Sequence, residues 1–335
     1  MTTTNLQKAP ALLVIIAFAT VYIVWGSTYF FIQMAIVGFP PMLMGAMRYL
    51  TAGILLLLWC RIKGDRLWVL KDIGVSAVCG LLMLLVATGV VIWVERSLPS
   101  AMVAIMVSVN PVWFVILDRA NRKSNLQNRT VIAGIILGFS GVLLLFGEAI
   151  EKSLNGSFTH VQVMGLLLLL LSPIAWSSGS LYSKKRAGRA PARVNTAWQM
   201  IIAGAAFIPA SVLHQEYAGF HIGQVPGRAW FALVYLILFG SIAAFSAYVW
   251  LLKVRPATQV STHSYVNPVI AVILGVGFAH EQLSWLQLLG LLVILISVLL
   301  INLQKYGAAF KSRRQHSEKP MVNCSIGVIA SEKTA

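Results

Sequence analysis

The stretch Trp93–Leu117, WVERSLPSAMVAIMVSVNPVWFVIL, returns 157 positions later as Trp250–Leu274, WLLKVRPATQVSTHSYVNPVIAVIL. Trp93/Trp250, Pro99/Pro256, Val109/Val266 and the pairs Asn110-Pro111/Asn267-Pro268 coincide in register. Each copy lies in an apolar run of membrane-spanning length. A duplicated span with Asn-Pro near its middle marks transporters built from internal repeats.

Working outward, the repeat extends over nearly the whole chain. At an offset of 151, Trp25-Gly-Ser matches Trp176-Ser-Ser, Pro40 matches Pro191, and Ala52-Gly53 matches Ala203-Gly204. With 58% hydrophobic residues, 11% charged and a mean hydropathy of +0.81, the chain is not a soluble globular domain. Apolar runs of about 20 residues fall at 11–33, 41–60, 69–92, 99–118, 131–147, 161–182, 195–213, 229–251, 257–279 and 283–302. The first is too long for a signal-peptide core and is expected to be retained. The sequence therefore predicts an all-α polytopic membrane protein: a short N-terminus (1–10), a first five-helix repeat (11–147), a second (161–302) and a disordered cytoplasmic tail (303–335). Five spans is an odd number, so the second repeat must enter the membrane from the opposite side.

The net charge of +16 is mostly topology. With the N-terminus inside, the inner loops hold Arg61, Lys63, Arg66, Lys71, Arg119, Arg122, Lys123, Arg129, Lys184, Lys185, Arg186, Arg189, Arg193, Lys253 and Arg255. The outer loops hold Arg96, Lys152 and Arg228. This bias predicts both termini in the cytoplasm and a lipid bilayer, not nucleic acid, as the partner of the basic residues. Cys60, Cys79 and Cys324 lack paired spacing, so neither a structural disulfide nor a metal site is expected. His280-Glu281 begins like a zinc-protease motif but lacks its second histidine.

Polar side chains within a span usually face the bundle interior or a wet cavity. Gln259, His263 and Asn267 recur at i, i+4 and i+8 on one helical face. The matching positions of the first repeat are Met102, Met106 and Asn110. Asn110 and Asn267 are candidates to hold substrate polar groups, or to bond neighbouring helices. Pro111 and Pro268 should kink their spans as hinges. Trp25, Trp176, Ser178, Tyr182 and Trp250 add hydroxyls and aromatic faces suited to an amphipathic organic solute. Arg48 is the one basic residue well inside a span; it either meets a substrate carboxylate or pairs with Glu95 or helix-end carbonyls. No carboxylate sits near a midplane, so proton coupling, if present, falls to His263 or an end-of-span carboxylate.

Trp25-Gly-Ser-Thr-Tyr-Phe30, Arg48-Tyr-Leu-Thr-Ala-Gly-Ile54, Leu238-Phe-Gly-Ser-Ile242 and Tyr265-Val-Asn-Pro-Val-Ile270 resemble the EamA-type permeases of the drug/metabolite transporter superfamily, in particular their YedA-like inner-membrane branch. The resemblance covers about 11–302. It implies ten helices in two inverted repeats, a central cavity, alternating access, and export of small metabolites such as amino acids from a bacterial cytoplasm. Two departures are Ala279-His280-Glu281, where the family usually shows Gly-Glu, and Met102 and Met106 in place of small residues. The expected cavity is built from spans one, three, four, six, eight and nine, without a cofactor. Proton coupling and homodimerisation stay open. A nucleotide-sugar or phosphate exchanger would want several intramembrane cations, where the chain offers Arg48. An intramembrane lipid-modifying enzyme would want a catalytic carboxylate or paired histidines within the spans.

Overall fold

Hydrocarbon offers the backbone no hydrogen-bond partners, so apolar runs of this length must satisfy their own N–H and C=O groups as helices. The computed structural model describes residues 10–120, 127–155, 159–186, 188, 190–297 and 299–300, and among these it is helical without strands. Residues 1–9 of the expected N-terminal segment 1–10, and the tail 303–335, lie outside the described residues.

Among the described residues, eight helices are long and apolar enough to cross a membrane. They are α1 (Ala11–Ile36), α2 (Pro41–Ile62), α3 (Leu70–Val94), α4 (Ser100–Leu117), α6 (His160–Lys185), α7 (Ala192–Leu213), α8 (Gly227–Val254) and α9 (Ala257–Phe278). The other two expected spans are shorter apolar stretches of 10–17 residues: Arg129–Leu145, within α5 (Arg129–Leu154), and α10 (Trp285–Ser297). α5 runs on past its apolar stretch to Leu154, 26 residues in all, and residues 299–300 beyond α10 are helical as well.

The centre of the molecule is the contact between α2 and α7, which occupy the same place in the two halves. Gly45 lies against Phe207 and Gly53 against Ala197 and Ile201, so the two helices run antiparallel. Two of these contacts mirror each other: Gly53 meets Ile201, and its counterpart Gly204 meets Leu50, the counterpart of Ile201. A Cβ at either glycine would stand 2.7 Å from the opposing helix. Equivalent helices that cross antiparallel through equivalent residues are related by a two-fold axis between them. The same symmetry pairs α1 with α9 and α6 with α4, and likewise α1 with α8 and α6 with α3.

Carboxylates tie the helix ends. Glu216 accepts from Met42 N (3.1 Å) and Leu43 N (2.8 Å) at the start of α2. Glu281 accepts from Ser100 N (2.8 Å), Ser100 Oγ (2.7 Å) and Ala101 N (3.0 Å) at the start of α4. Both satisfy N–H groups that the first helical turn leaves free, and both lie at the positive end of a helix dipole. At the opposite end, Arg193 Nη2 donates to Asp65 Oδ1 at 2.7 Å.

Candidate functional site

The helices that line the centre of the bundle are irregular where they do so. In α3, Leu81–Thr88 winds as a π-helix, and in α8 so does Leu236–Phe245. An offset of 157 superposes the ends of these segments, Thr88 on Phe245. Such wide turns free backbone carbonyls and often mark functional sites. Here Trp25 Nε1 donates to the Gly240 carbonyl at 3.1 Å.

The expected kinks appear as breaks, displaced from the prolines. α4 is interrupted at Ser108–Val109, just before Asn110-Pro111, and α9 at Ser261–Thr262, a turn and a half before Pro268, which stays inside a helix. Hydroxyls explain the placement. Ser108 Oγ donates to Ile105 O (2.6 Å), Ser261 Oγ to Thr258 O (3.0 Å) and Thr262 Oγ1 to Gln259 O (2.6 Å). Each competes with the main-chain ladder and tightens its turn.

A cavity forms at these irregularities. It measures about 80 Å³, against the roughly 10–15 Å³ that one water needs on the same measure. Six expected residues line it: Trp25, Arg48, Asn110, Trp176, His263 and Asn267. Trp25 is its hub. Its ring meets Trp176 edge-on at 5.1 Å and His263 edge-on at 5.2 Å, and lies 4.8 Å from Tyr248. Trp176 Nε1 donates to Tyr248 Oη (3.0 Å), which also bonds Ser180 Oγ (2.7 Å).

The two asparagines differ in their bonding. Asn110 Oδ1 accepts from Ser177 Oγ at 2.7 Å, an interhelical bond from α6 to α4. Asn267 stands 3.2 Å from His263 Nδ1. With Oδ1 turned toward that nitrogen, its amide donates to the carbonyls of His263 (2.9 Å) and Tyr22 (3.3 Å). The proton then sits on Nδ1, and Nε2, which has no partner, is left as an acceptor.

The other four expected residues are not among the cavity's lining. Gln259 is exposed, because the break at Ser261–Thr262 ends the four-residue register it shares with His263 and Asn267. Ser178 and Trp250 follow Trp176 and Tyr248 by two positions, about 200° around the helix. Tyr182 lies nearly two turns beyond Trp176 toward the end of α6. All three are half-buried. Met102 and Met106 are buried away from the cavity, with Met102 Sδ 3.7 Å from Gln287 Nε2.

Arg48 takes a partner the sequence did not suggest. Nε donates to Ser241 Oγ at 2.8 Å, on the π segment of α8, and the guanidinium lies over the Tyr49 ring at 4.9 Å. It forms no hydrogen bond with Glu95, both of whose buried oxygens lack a partner. Its presence brings α2 into the lining, beyond the six spans expected. Sequence reasoning also passed over Tyr49, Thr88 and Phe245 in the wall and Tyr248 in the floor. Tyr248 was findable. Its counterpart at offset 157 is Val91, so the two copies differ there as they do at Met106/His263.

The lining is biased toward one end. It reaches Ile32, one turn from the end of α1, and Val91, one turn from the end of α3, while Trp176, Tyr248 and a Tyr22 Oη–Thr262 Oγ1 bond (2.6 Å) form a floor below.

This chain matches the EamA-like transporter family twice, over residues 12–147 and 163–303. It belongs to that family. Among curated proteins it is 36% identical over 293 residues to the uncharacterized inner membrane transporter YedA of Escherichia coli strain K12, covering 87% of this chain and 90% of the relative. A Salmonella typhimurium protein named probable amino-acid metabolite efflux pump is 24% identical over 282 residues, 82% of this chain and 90% of its own length. A solved structure described only as a crystal structure of a protein aligns at a TM-score of 0.62 and 19% identity, over 88% of this chain and 99% of that one, which establishes a shared fold. The EamA protein is thus a multi-pass membrane permease.

Proposed function

We propose that this EamA protein is a secondary transporter that exports small amphipathic metabolites, such as amino acids or related compounds, across a bacterial inner membrane. The observation that carries the reading is the central cavity. Residues of both repeats converge there, aromatic faces alternate with a few unsatisfied polar atoms, and breaks in α4 and α9 beside it supply places to bend. Ten spans in two inverted repeats with both termini cytoplasmic fit the loop charges and the antiparallel α2–α7 pair. On that orientation the cavity is biased toward the outer face, and rocking of the halves about the breaks would carry solute across.

Asn110, Asn267 and His263 supply polar contacts, Trp25 an apolar wall, Trp176 the aromatic floor, and Arg48 a cation. Arg48 is the one cation among the described lining residues, which disfavours a nucleotide-sugar or phosphate substrate. Export by the Salmonella relative's named class supports amino-acid compounds as the first panel. Efflux measured across such a panel from cells overproducing the protein should rise for at least one compound. Asn267→Ala in proteoliposomes should cut that flux about tenfold or more while leaving thermal unfolding near wild type; unchanged flux removes Asn267 from the site.

A further inference from the structure

Two buried ionic groups on neighbouring helices are left incompletely partnered. Arg48 on α2 is 4% exposed, and its Nη1 has no partner although the residue lines the cavity. Glu95, which follows α3, is 2% exposed, and neither oxygen of its carboxyl has a partner. Glu95 lies one turn beyond Val91, continuing the stripe Leu84–Thr88–Val91 that α3 presents to the cavity. α2 packs against this end of α3, and Arg48 and Glu95 are within electrostatic range of each other.

Glu95's other charged or titratable neighbours are Tyr29 on α1 and Glu281 in the turn after α9. Arg96 is adjacent in sequence. From α6, which packs here, Gly165 meets Val94 and Gln162 bonds the Ser97 carbonyl, while His160 is exposed at the helix tip. Glu281 is satisfied by three donors at the start of α4. Glu95 has none, and among the described residues Arg48 is the one cation reaching it from a packed helix.

We propose that Arg48 and Glu95 form a proton-linked carboxylate site: a monocarboxylate pairs with Arg48 Nη1, and Glu95 binds one proton as it does. Charge balance sets the stoichiometry, because a buried net charge is costly and must be matched. Without solute, cationic Arg48 is balanced by ionised Glu95. With a carboxylate at Nη1, Glu95 must become neutral, and its proton comes from water. Both states carry zero net charge, so the solute moves together with a proton. A zwitterion brings its own cation and needs no such uptake.

The proposal rests on the transport reading only in taking the cavity as the solute site, and binding tests it without flux. Benzoate, indole-3-acetate and octanoate serve as probes on purified protein in nanodiscs, read by isothermal titration calorimetry and by a pH indicator in weak buffer. At least one should bind with uptake of one proton, its affinity falling about tenfold per pH unit as the pH rises past the titration of Glu95. Glu95→Gln should bind the same probe without proton uptake and with a flat pH profile. Arg48→Gln, checked for folding by thermal unfolding, should lose the binding, and benzamide should not bind wild type. Binding by none of the three, binding retained in Arg48→Gln, or uptake retained in Glu95→Gln overturns the proposal. Uptake lost instead in His263→Gln assigns the proton to His263 and also overturns it. Metabolite flux that persists through such a failure leaves the transporter reading standing.

Discussion

At the scale of single residues, Trp25 shows how a side chain can be structural and solute-facing at once. Its indole N–H is occupied by the Gly240 carbonyl, and its faces and edges touch Trp176, His263 and Tyr248. Trp25→Phe keeps an aromatic ring but leaves a buried carbonyl without its donor, at a cost of about 1–2 kcal/mol. Thermal unfolding in detergent should fall accordingly, and a variant as stable as wild type would show that the bond contributes nothing. Tyr248→Phe removes one hydroxyl that joins Trp176 to Ser180 and should destabilise by a similar amount, lowering flux through a loosened floor. Trp25, Trp176, Asn110 and Asn267 were legible because repeat comparison singles them out within apolar runs. Thr88 was not singled out, because threonines within spans usually back-bond their own helix, as Thr88 does to the Met83 carbonyl. Only the packing shows which ones reach a cavity.

At the scale of elements, helix ends and interruptions decide the geometry. Glu216 and Asp65 are counterparts at offset 151 and meet the same helix end in each half, one through backbone N–H groups, the other through Arg193. Glu216→Gln replaces charge-assisted bonds at a helix N-terminus and should destabilise by about 1–2 kcal/mol, read by thermal unfolding. The Arg193 hydrogen bonds hold the Asp65 carboxyl below its ordinary range. A depressed folded value means that the pair's contribution is present above the unfolded value of about 3.9 and fades as pH falls through the folded one. Because Arg193 is half-exposed, that contribution is at most about 1 kcal/mol. The stability gap between wild type and Asp65→Asn should therefore be constant from pH 8 to about 4 and close below it. A gap that closes near neutrality would refute the pairing. The prolines pointed to kinks in the right helices, but neighbouring hydroxyls chose the turns that broke. The paired π segments left no sequence signature, since their residues are as apolar and helix-forming as those around them.

At the scale of the whole molecule, the antiparallel α2–α7 contact ties the halves through Gly53 and Gly204. Either glycine changed to Leu would force the helices apart, and the two-fold relation predicts losses of similar size, about 1–3 kcal/mol or more. Strongly unequal losses would mean that the axis does not run through this contact. The outer bias of the cavity is tested by single cysteines at Ile32 and Val91 in a background with Cys60, Cys79 and Cys324 replaced. A membrane-impermeant maleimide added to intact cells should label them faster than one placed at Tyr248; the reverse order would invert the orientation.

Composition, run length and the register of two copies were enough to establish helices and a duplicated chain, and the parity of five expected spans per copy led to the proposal of opposed halves. Those conclusions follow from what hydrocarbon imposes on a backbone and from counting, and need no contacts. Which polar groups face one another was settled only by packing. The break in α9 parted Gln259 from His263, a π turn offered Ser241 to Arg48, and Glu95 was left without the partner its sequence position suggested. Side-chain direction inside a bundle depends on local helix winding, and winding is decided by neighbours that are remote in sequence.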